Sequence, residues 1–357
     1  MKLIADTEIR DAVNHAGRTE DMKLSSGKDR LLSLSFNDHA VNVMDVGFSR
    51  NGDGHELHVH GFTRLTSKKF KFPHGVCFID DDTLAVANRE GILTIVKMPP
   101  PTSGFQARPA EIIRTLGGGW RRQISTPGSV VSAALGNGKH ELLVANNYVH
   151  TVTSHTLDAS RTFACSQNKV LLKNYLDVPD GVSLSQDGNW LAVSNHGTGQ
   201  VLIYDRRNEL NETTLPTAYL SDAGFPHGLE FAQGGRYLIV ADAGAPVVTI
   251  YDSGVGDWSG QMEPAASLQV MSEGDFLLGR NHIDEGGPKG LCISEDLDLV
   301  MITCEYSALS GFVLSEVLAA CKKPGTAKTG KKMREKFRAM EAQQHASING
   351  PGSSGAK

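Results

Sequence analysis

Cysteine is scarce in this 357-residue chain: five residues, Cys77, Cys165, Cys292, Cys304 and Cys321, none in CxxC spacing. An odd, scattered set argues against a disulfide framework and for a reducing compartment. Long apolar runs are also missing, and no stretch approaches the ~20 residues of a membrane-spanning helix. The opening MKLIADTEIRDAV interrupts its apolar run with acids, so it lacks the h-region of a secretory leader. Together these features predict a cytoplasmic protein. There is no Walker A, GxGxxG, GxSxG or HExxH motif, and GGGW at 117–120 lacks the Lys-Ser/Thr of a phosphate loop. Aromatic residues make up only 6% of the chain.

Glycine, by contrast, is plentiful at 38 residues, as expected where many tight turns are needed. The net charge of −5 hides an asymmetry. Between Lys322 and Lys357 nine basic residues face two acidic ones, leaving 26 basic and 38 acidic residues in the rest. An acidic body is followed by a basic tail.

The body is repetitive. Pro-x-Gly or a close variant recurs at Pro73, Pro127, Pro179, Pro226 and Pro288, and FPHG occurs twice, at 72–75 and 225–228. After each proline comes an alternating segment, a turn and a second apolar run, as in PDGVSLSQDGNWLAVSN from Pro179. A weaker copy runs from Glu20 to Asp45, which makes six. Inside a copy the period is two: Val182 and Leu184 alternate with Ser183 and Ser185. Such runs, bounded by Gly, Asp and Asn turns, read as antiparallel strands. Six units of four strands, each about 50 residues, predict an all-β six-bladed β-propeller over residues 1–320. The basic tail, 321–357, is expected to carry a short helix and a disordered end. The Lys2–Ala5 segment is expected to close the ring as the outer strand of the sixth blade.

In a propeller the first strand of each blade lines the axis. The x of each Pro-x-Gly then falls on one face near the axis, giving an inner ring of Glu20, His74, Gly128, Asp180, His227 and Lys289. The residues ending the second strands, among them Asn88, Asn146, Asn195 and Asp242, form a second ring, with Trp120, Arg121 and His282 on neighbouring loops of the same face. Imidazoles beside carboxylates suit a divalent cation such as calcium, zinc or manganese, or general-base chemistry without a metal. His58 and His60 share a strand face but belong to an outer strand. The basic tail has two readings: docking on a protein or other acidic partner, or folding back on its own acidic body.

The copies resemble the repeats of the SMP-30/gluconolactonase, paraoxonase, NHL and YncE-like lactonase propellers over about residues 20–314. In the first two groups a channel metal, usually calcium, is held by Glu, Asn and Asp, and Glu20 and Asp180 match by position and type. His74 lies in a PHG that is similar to a paraoxonase segment whose histidine is implicated in catalysis. His196, in SNHG, resembles the second histidine of that group. His227 and Lys289 depart from the pattern, standing where Asn or Asp is expected, and blade three has Gly128. The NHL and YncE-like groups imply binding without catalysis.

Two expectations follow. The first is a monomer that binds a small molecule at the axial face and hydrolyses a lactone or ester with metal assistance. In it Glu20, His74, Asp180 and His227 act as ligands or acid/base groups, while Lys289 and Arg121 stabilise an anion. The second is a non-catalytic interaction propeller. Neither expects nucleic acid at the propeller.

Overall fold

Each repeat copy folds as one sheet. The computed structural model describes residues 1–52, 54–117, 123–280, 285–306, 309–323 and 325–348. Blade 1 contains Met22–Leu24, Arg30–Ser35, Ala40–Asn51 and Gly54–Thr66. Blade 2 is Pro73–Asp80, Thr83–Asn88, Ile92–Lys97 and Ile112–Leu116. Blade 3 is Pro127–Gly136, Lys139–Asn146, Thr151–Asp158 and Ala164–Leu172. Blade 4 is Pro179–Leu184, Trp190–Asn195, Gln200–Asp205 and Ala218–Leu220, with Gly260–Met262 from the next copy added parallel at its edge. Blade 5 is Pro226–Ala232, Tyr237–Asp242, Val247–Asp252 and Ala266–Gln269. Blade 6 has three strands, Pro288–Ser294, Leu299–Cys304 and Ser310–Val313. Within each blade successive strands pair antiparallel. The innermost strands touch in sequence around the axis, and that of blade 6 returns to that of blade 1, so the ring is closed.

The period-two pattern sets the packing. In Trp190–Asn195, Leu191 and Val193 face blade 3, whereas Trp190 and Ala192 face blade 5. Both faces of a blade are therefore buried, and the core is six apolar clusters, one in each seam between neighbours. The turn in SQDG places Gly188 at φ +72°, the left-handed region that such a hairpin needs.

Ring closure differs from the expectation. Lys2–Ile4 pairs parallel with the outer strand of blade 1, Gly54–Thr66, and not with blade 6. Met1 reaches blade 6, its ammonium donating to the Gly311 carbonyl at 3.1 Å. Helix α1 (Thr7–Asn14), capped by Asp6, directs this path. It buries Ile9 and Val13 in the seam of blades 6 and 1, beside Leu299, Met301 and Met44. A second short helix, α2 (Glu273–Leu278), precedes the inner strand of blade 6. Helix α3 (Leu314–Ala319) fills the seam of blades 5 and 6 with Leu314, Val317 and Leu318.

The tail then rises to the axial face as α4 (Thr329–Ile348). There Arg334 pairs with the buried Asp242 and donates to the Asp222 carbonyl at 3.0 Å. Phe337 is buried against Phe276, with ring centroids 4.4 Å apart. Of the two readings of the tail, the structure displays the fold-back on the acidic body. Among the described residues no helix is long and apolar enough to cross a membrane. Cys77, Cys165, Cys292 and Cys321 are free thiols.

Candidate functional site

The Pro-x-Gly motif is a β-bulge. Pro73 pairs with Asn88 and Gly75 with Ala87, so His74 is the extra residue. The same irregularity recurs after Pro127, Pro179, Pro226 and Pro288. Bulges re-aim a side chain out of the ladder, and here the x side chain turns to the axis. The glycine that follows lets the next inner strand pass close by. A Cβ on Gly75 would lie 2.6 Å from the Ser129 Cα, and one on Gly228 2.5 Å from the Lys289 carbonyl oxygen.

The bulges bring His74, Asp180 and His227 together beside Glu20, which precedes the inner strand of blade 1; each is at most 4% exposed. The His227 Nε2 lies 3.0 Å from Asp180 Oδ2 and 3.2 Å from Glu20 Oε2. The His74 Nε2 lies 3.6 Å from Glu20 Oε2 and 4.0 Å from Asp180 Oδ1. His196 joins them, its Nε2 3.6 Å from Asp180 Oδ2. Glu20, His74, Asp180 and His227 line a cavity of about 10 Å³ that continues along the channel to Asp21, Lys23 and Val182, which is room for one water or ion.

Lys289 is fully buried and pairs with Glu20 at 3.1 Å, with Glu305 at 3.1 Å and with Glu285. Arg18 contacts the same three carboxylates. Arg89 and Asn147 hold Asp180 through its Oδ1. Gly128 makes room for Asn147: a Cβ there would strike the Asn147 amide and come within 2.8 Å of Asp180 Oδ1.

The ionisation states follow. Burial, reinforced by the Arg89 charge, pulls the His74 imidazole down to about 3. Burial likewise pulls His196 down to about 4. Burial alone would raise Glu20, but Lys289, with His74, His227 and Arg18, holds it well below the carboxylate range. Burial also opposes the ionised form of Asp180. There His227, His74, His196 and Arg89 reverse the sign and hold it well below that range. Near neutral pH the site thus holds two ionised carboxylates beside two neutral imidazoles.

The tautomer of His74 is fixed as well. Its Nδ1 is 2.8 Å from the Gly128 carbonyl oxygen, which can only accept, so Nδ1 carries the proton and Nε2 presents a lone pair. That lone pair faces carboxylate oxygens. Among the described residues Glu20 Oε2, His74 Nε2, Asp180 Oδ2 and His196 Nε2 are buried with no hydrogen bond of good geometry. Acceptors facing acceptors in a dry site call for a cation, a proton or a water between them.

The four strand-end residues have another role. Asn88, Asn146, Asn195 and Asp242 are fully buried. Each accepts from a backbone N–H of the chain leading into its blade, at Lys71, Ser125, Asp177 and Phe225 respectively. Their side chains tie the frame together. In blades 2, 3, 4 and 6 the residue after the second-strand end is the one that approaches the axis: Arg89, Asn147, His196 and Glu305; in blade 5 that position is Ala243. Sequence reasoning placed the ring one residue early and missed Arg18, Arg89 and Asn147. The signal available was alternation: the side chain after a frame-facing one points the other way. Lys289 lies inside the cluster with its charge committed to three carboxylates. Trp120, Arg121 and His282 lie outside the described residues. His58 and His60 sit on the outer strand of blade 1, away from the axis.

Fold and cluster together define a six-bladed β-propeller with a buried imidazole–carboxylate site at one end of its channel. Residues 123–275, which span blades 3 to 5, match the family described as lactonase, 7-bladed beta-propeller. That is less than half of the chain, but it includes Asp180, His196 and His227. Several solved structures are similar. Hydrazine synthase of Kuenenia stuttgartiensis is 14% identical, with a TM-score of 0.53 over 90% of this chain and 83% of its own. A luciferin-regenerating enzyme is 11% identical, with a TM-score of 0.51 over 81% and 85%. A protein of Bacteroides fragilis NCTC 9343, provisionally assigned as a 6-phosphogluconolactonase, is 12% identical, with a TM-score of 0.50 over 80% and 76%. At these identities the likeness concerns the fold. No curated protein sequence matches the chain.

Proposed function

We propose that the chain hydrolyses a small lactone or ester at the axial mouth. The carrying observation is His74: a neutral imidazole, anchored through Nδ1, with the Nε2 lone pair turned into the site. A base of this kind takes a proton from water as the water attacks the carbonyl carbon. The acyl C–O bond then breaks, and the imidazolium returns the proton to the leaving alkoxide. His196, also neutral and at the edge of the cluster, serves the same exchange nearer the mouth when no metal occupies its Nε2. Arg18 and Arg89, each about a fifth exposed, are the cations open enough to meet a developing oxyanion. A divalent cation held by the same groups would supply Lewis acidity. The lactonase match over blades 3 to 5 supports this reading.

The test is a panel of γ- and δ-lactones and aryl esters followed with a pH indicator. The wild-type protein is expected to turn over at least one of them. His74→Gln and His196→Gln should each lower kcat/KM by about 100-fold or more while the melting temperature stays near that of the wild type. A folded protein inert towards the whole panel would overturn the proposal. It would leave the rival reading, a non-catalytic interaction propeller, for which the exposed Tyr148, Tyr175 and Tyr306 offer contact surface.

A further inference from the structure

Two sets of three potential ligands share His227: Glu20, His74 and His227, and Asp180, His196 and His227. Calcium takes six to eight oxygen ligands, and a cluster with three imidazole nitrogens does not fit it. The calcium implied by the family resemblance is therefore not the ion this chain is built for. Imidazole and carboxylate donors suit zinc, manganese or ferrous iron.

The two sets are not equivalent. Glu20 Oε2 already has the Lys289 ammonium at 3.1 Å, a fixed cation that repels a second one on the same oxygen. Asp180 Oδ2 has no such neighbour among the described residues. Its sister oxygen, Oδ1, is the one engaged by Asn147 and Arg89, which leaves Oδ2 directed at His196 and His227. The two edges that meet at Asp180 also fit. Arms of about 2.0–2.2 Å in tetrahedral or octahedral array separate donors by about 3.0–3.6 Å. Asp180 Oδ2 lies 3.0 Å from His227 Nε2 and 3.6 Å from His196 Nε2. Both Asp180 Oδ2 and His196 Nε2 are buried without a hydrogen bond.

We propose that Asp180, His196 and His227 form a two-histidine, one-carboxylate site for a divalent transition metal, with Asn147 and Arg89 orienting the carboxylate and Lys289 keeping Glu20 out of the first coordination sphere. The proposal rests on the geometry of the axial cluster and not on the reaction proposed there.

The experiment uses the full chain, stripped of metal and titrated with Zn²⁺, Mn²⁺, Co²⁺ and Ca²⁺. Binding is read by calorimetry, by the visible d–d absorption of Co²⁺ and by the shift in melting temperature. One equivalent of Co²⁺ and Zn²⁺ is expected to bind, and Ca²⁺ to bind more than about 100-fold more weakly. His196→Gln and Asp180→Asn should abolish the Co²⁺ spectrum. Asn147→Ala should weaken binding about 10-fold, and Glu20→Gln should keep one equivalent. Should His196→Gln fail to fold, His196→Asn takes its place.

Any of three results overturns the proposal: no binding of the transition ions to the wild type, unchanged binding in the Asp180 and His196 variants, or binding lost in Glu20→Gln and kept without His196. Metal binding of the expected pattern in a protein that hydrolyses nothing would remove the proposed reaction and leave the metal site standing.

Discussion

At the residue scale the axial site is a set of buried groups whose ordinary protonation has been shifted by their surroundings, and this makes stability depend on pH. His74 and His196 titrate at about 3 and about 4 in the folded protein, against about 6.5 in an unfolded chain. Between those limits the unfolded state binds more protons, so stability falls as pH falls below about 6.5. Glu20 and Asp180 are held low. Their contribution is intact above the ordinary carboxylate range and is lost only as pH drops through and below it. Acid therefore acts in two stages, with the histidines first. We expect urea unfolding to give about 2–4 kcal/mol less stability at pH 5 than at pH 7. The slope should flatten when both His74 and His196 are replaced by Gln. A wild-type stability that is level across this range would show that the imidazoles are not held neutral by burial.

At the element scale two kinds of position matter: the bulged residue after each proline and, in blades 2, 3, 4 and 6, the residue after the second-strand end. The first was legible in the sequence because the Pro-x-Gly motif marks it in four of the six blades. Gly128 in blade 3 and the weak first copy were read by spacing alone. The second position was misplaced by one residue. A strand alternates faces, so Asn88, Asn146 and Asn195 point into the frame while Arg89, Asn147 and His196 point to the axis, and a period of two cannot say which face is which. The docking of α4 was legible only as an excess of charge. Its anchor, Arg334 on the buried Asp242, joins a tail residue to a frame residue that sequence assigned to ligand binding. Arg334→Ala leaves that carboxylate buried without its cation and should cost about 3 kcal/mol in urea unfolding. Lys336 meets Glu273 in an exposed pair, with half of the lysine side chain in solvent, and Lys336→Ala should cost less than about 1 kcal/mol. Equal costs for the two would mean that Arg334 is not the anchor.

At the scale of the whole molecule, the number of blades was legible and the closure of the ring was not, for a physical reason. Each blade buries two faces, so its alternating apolar residues must appear in the sequence whatever its neighbours are. A closing segment has no such constraint: Lys2-Leu3-Ile4 fits any open strand edge, and its choice is made by the helix that follows. Because α1 must bury Ile9 and Val13 between blades 6 and 1, Lys2–Ile4 reach the outer edge of blade 1 and Met1 bonds to blade 6. The ring is thus sealed at this seam by helix packing, and among the described residues no strand is shared across it. Ile9 is 1% exposed, and Ile9→Ala removes apolar contacts from both blades, with an expected cost of about 3 kcal/mol. The loss should also be local. In hydrogen exchange the strands Met22–Leu24 and Leu299–Cys304, which flank the seam, should lose protection before Lys139–Asn146 and Trp190–Asn195 on the far side of the ring. Uniform loss of protection in all six blades, or a cost below about 1 kcal/mol, would mean that the seam is held by something other than α1.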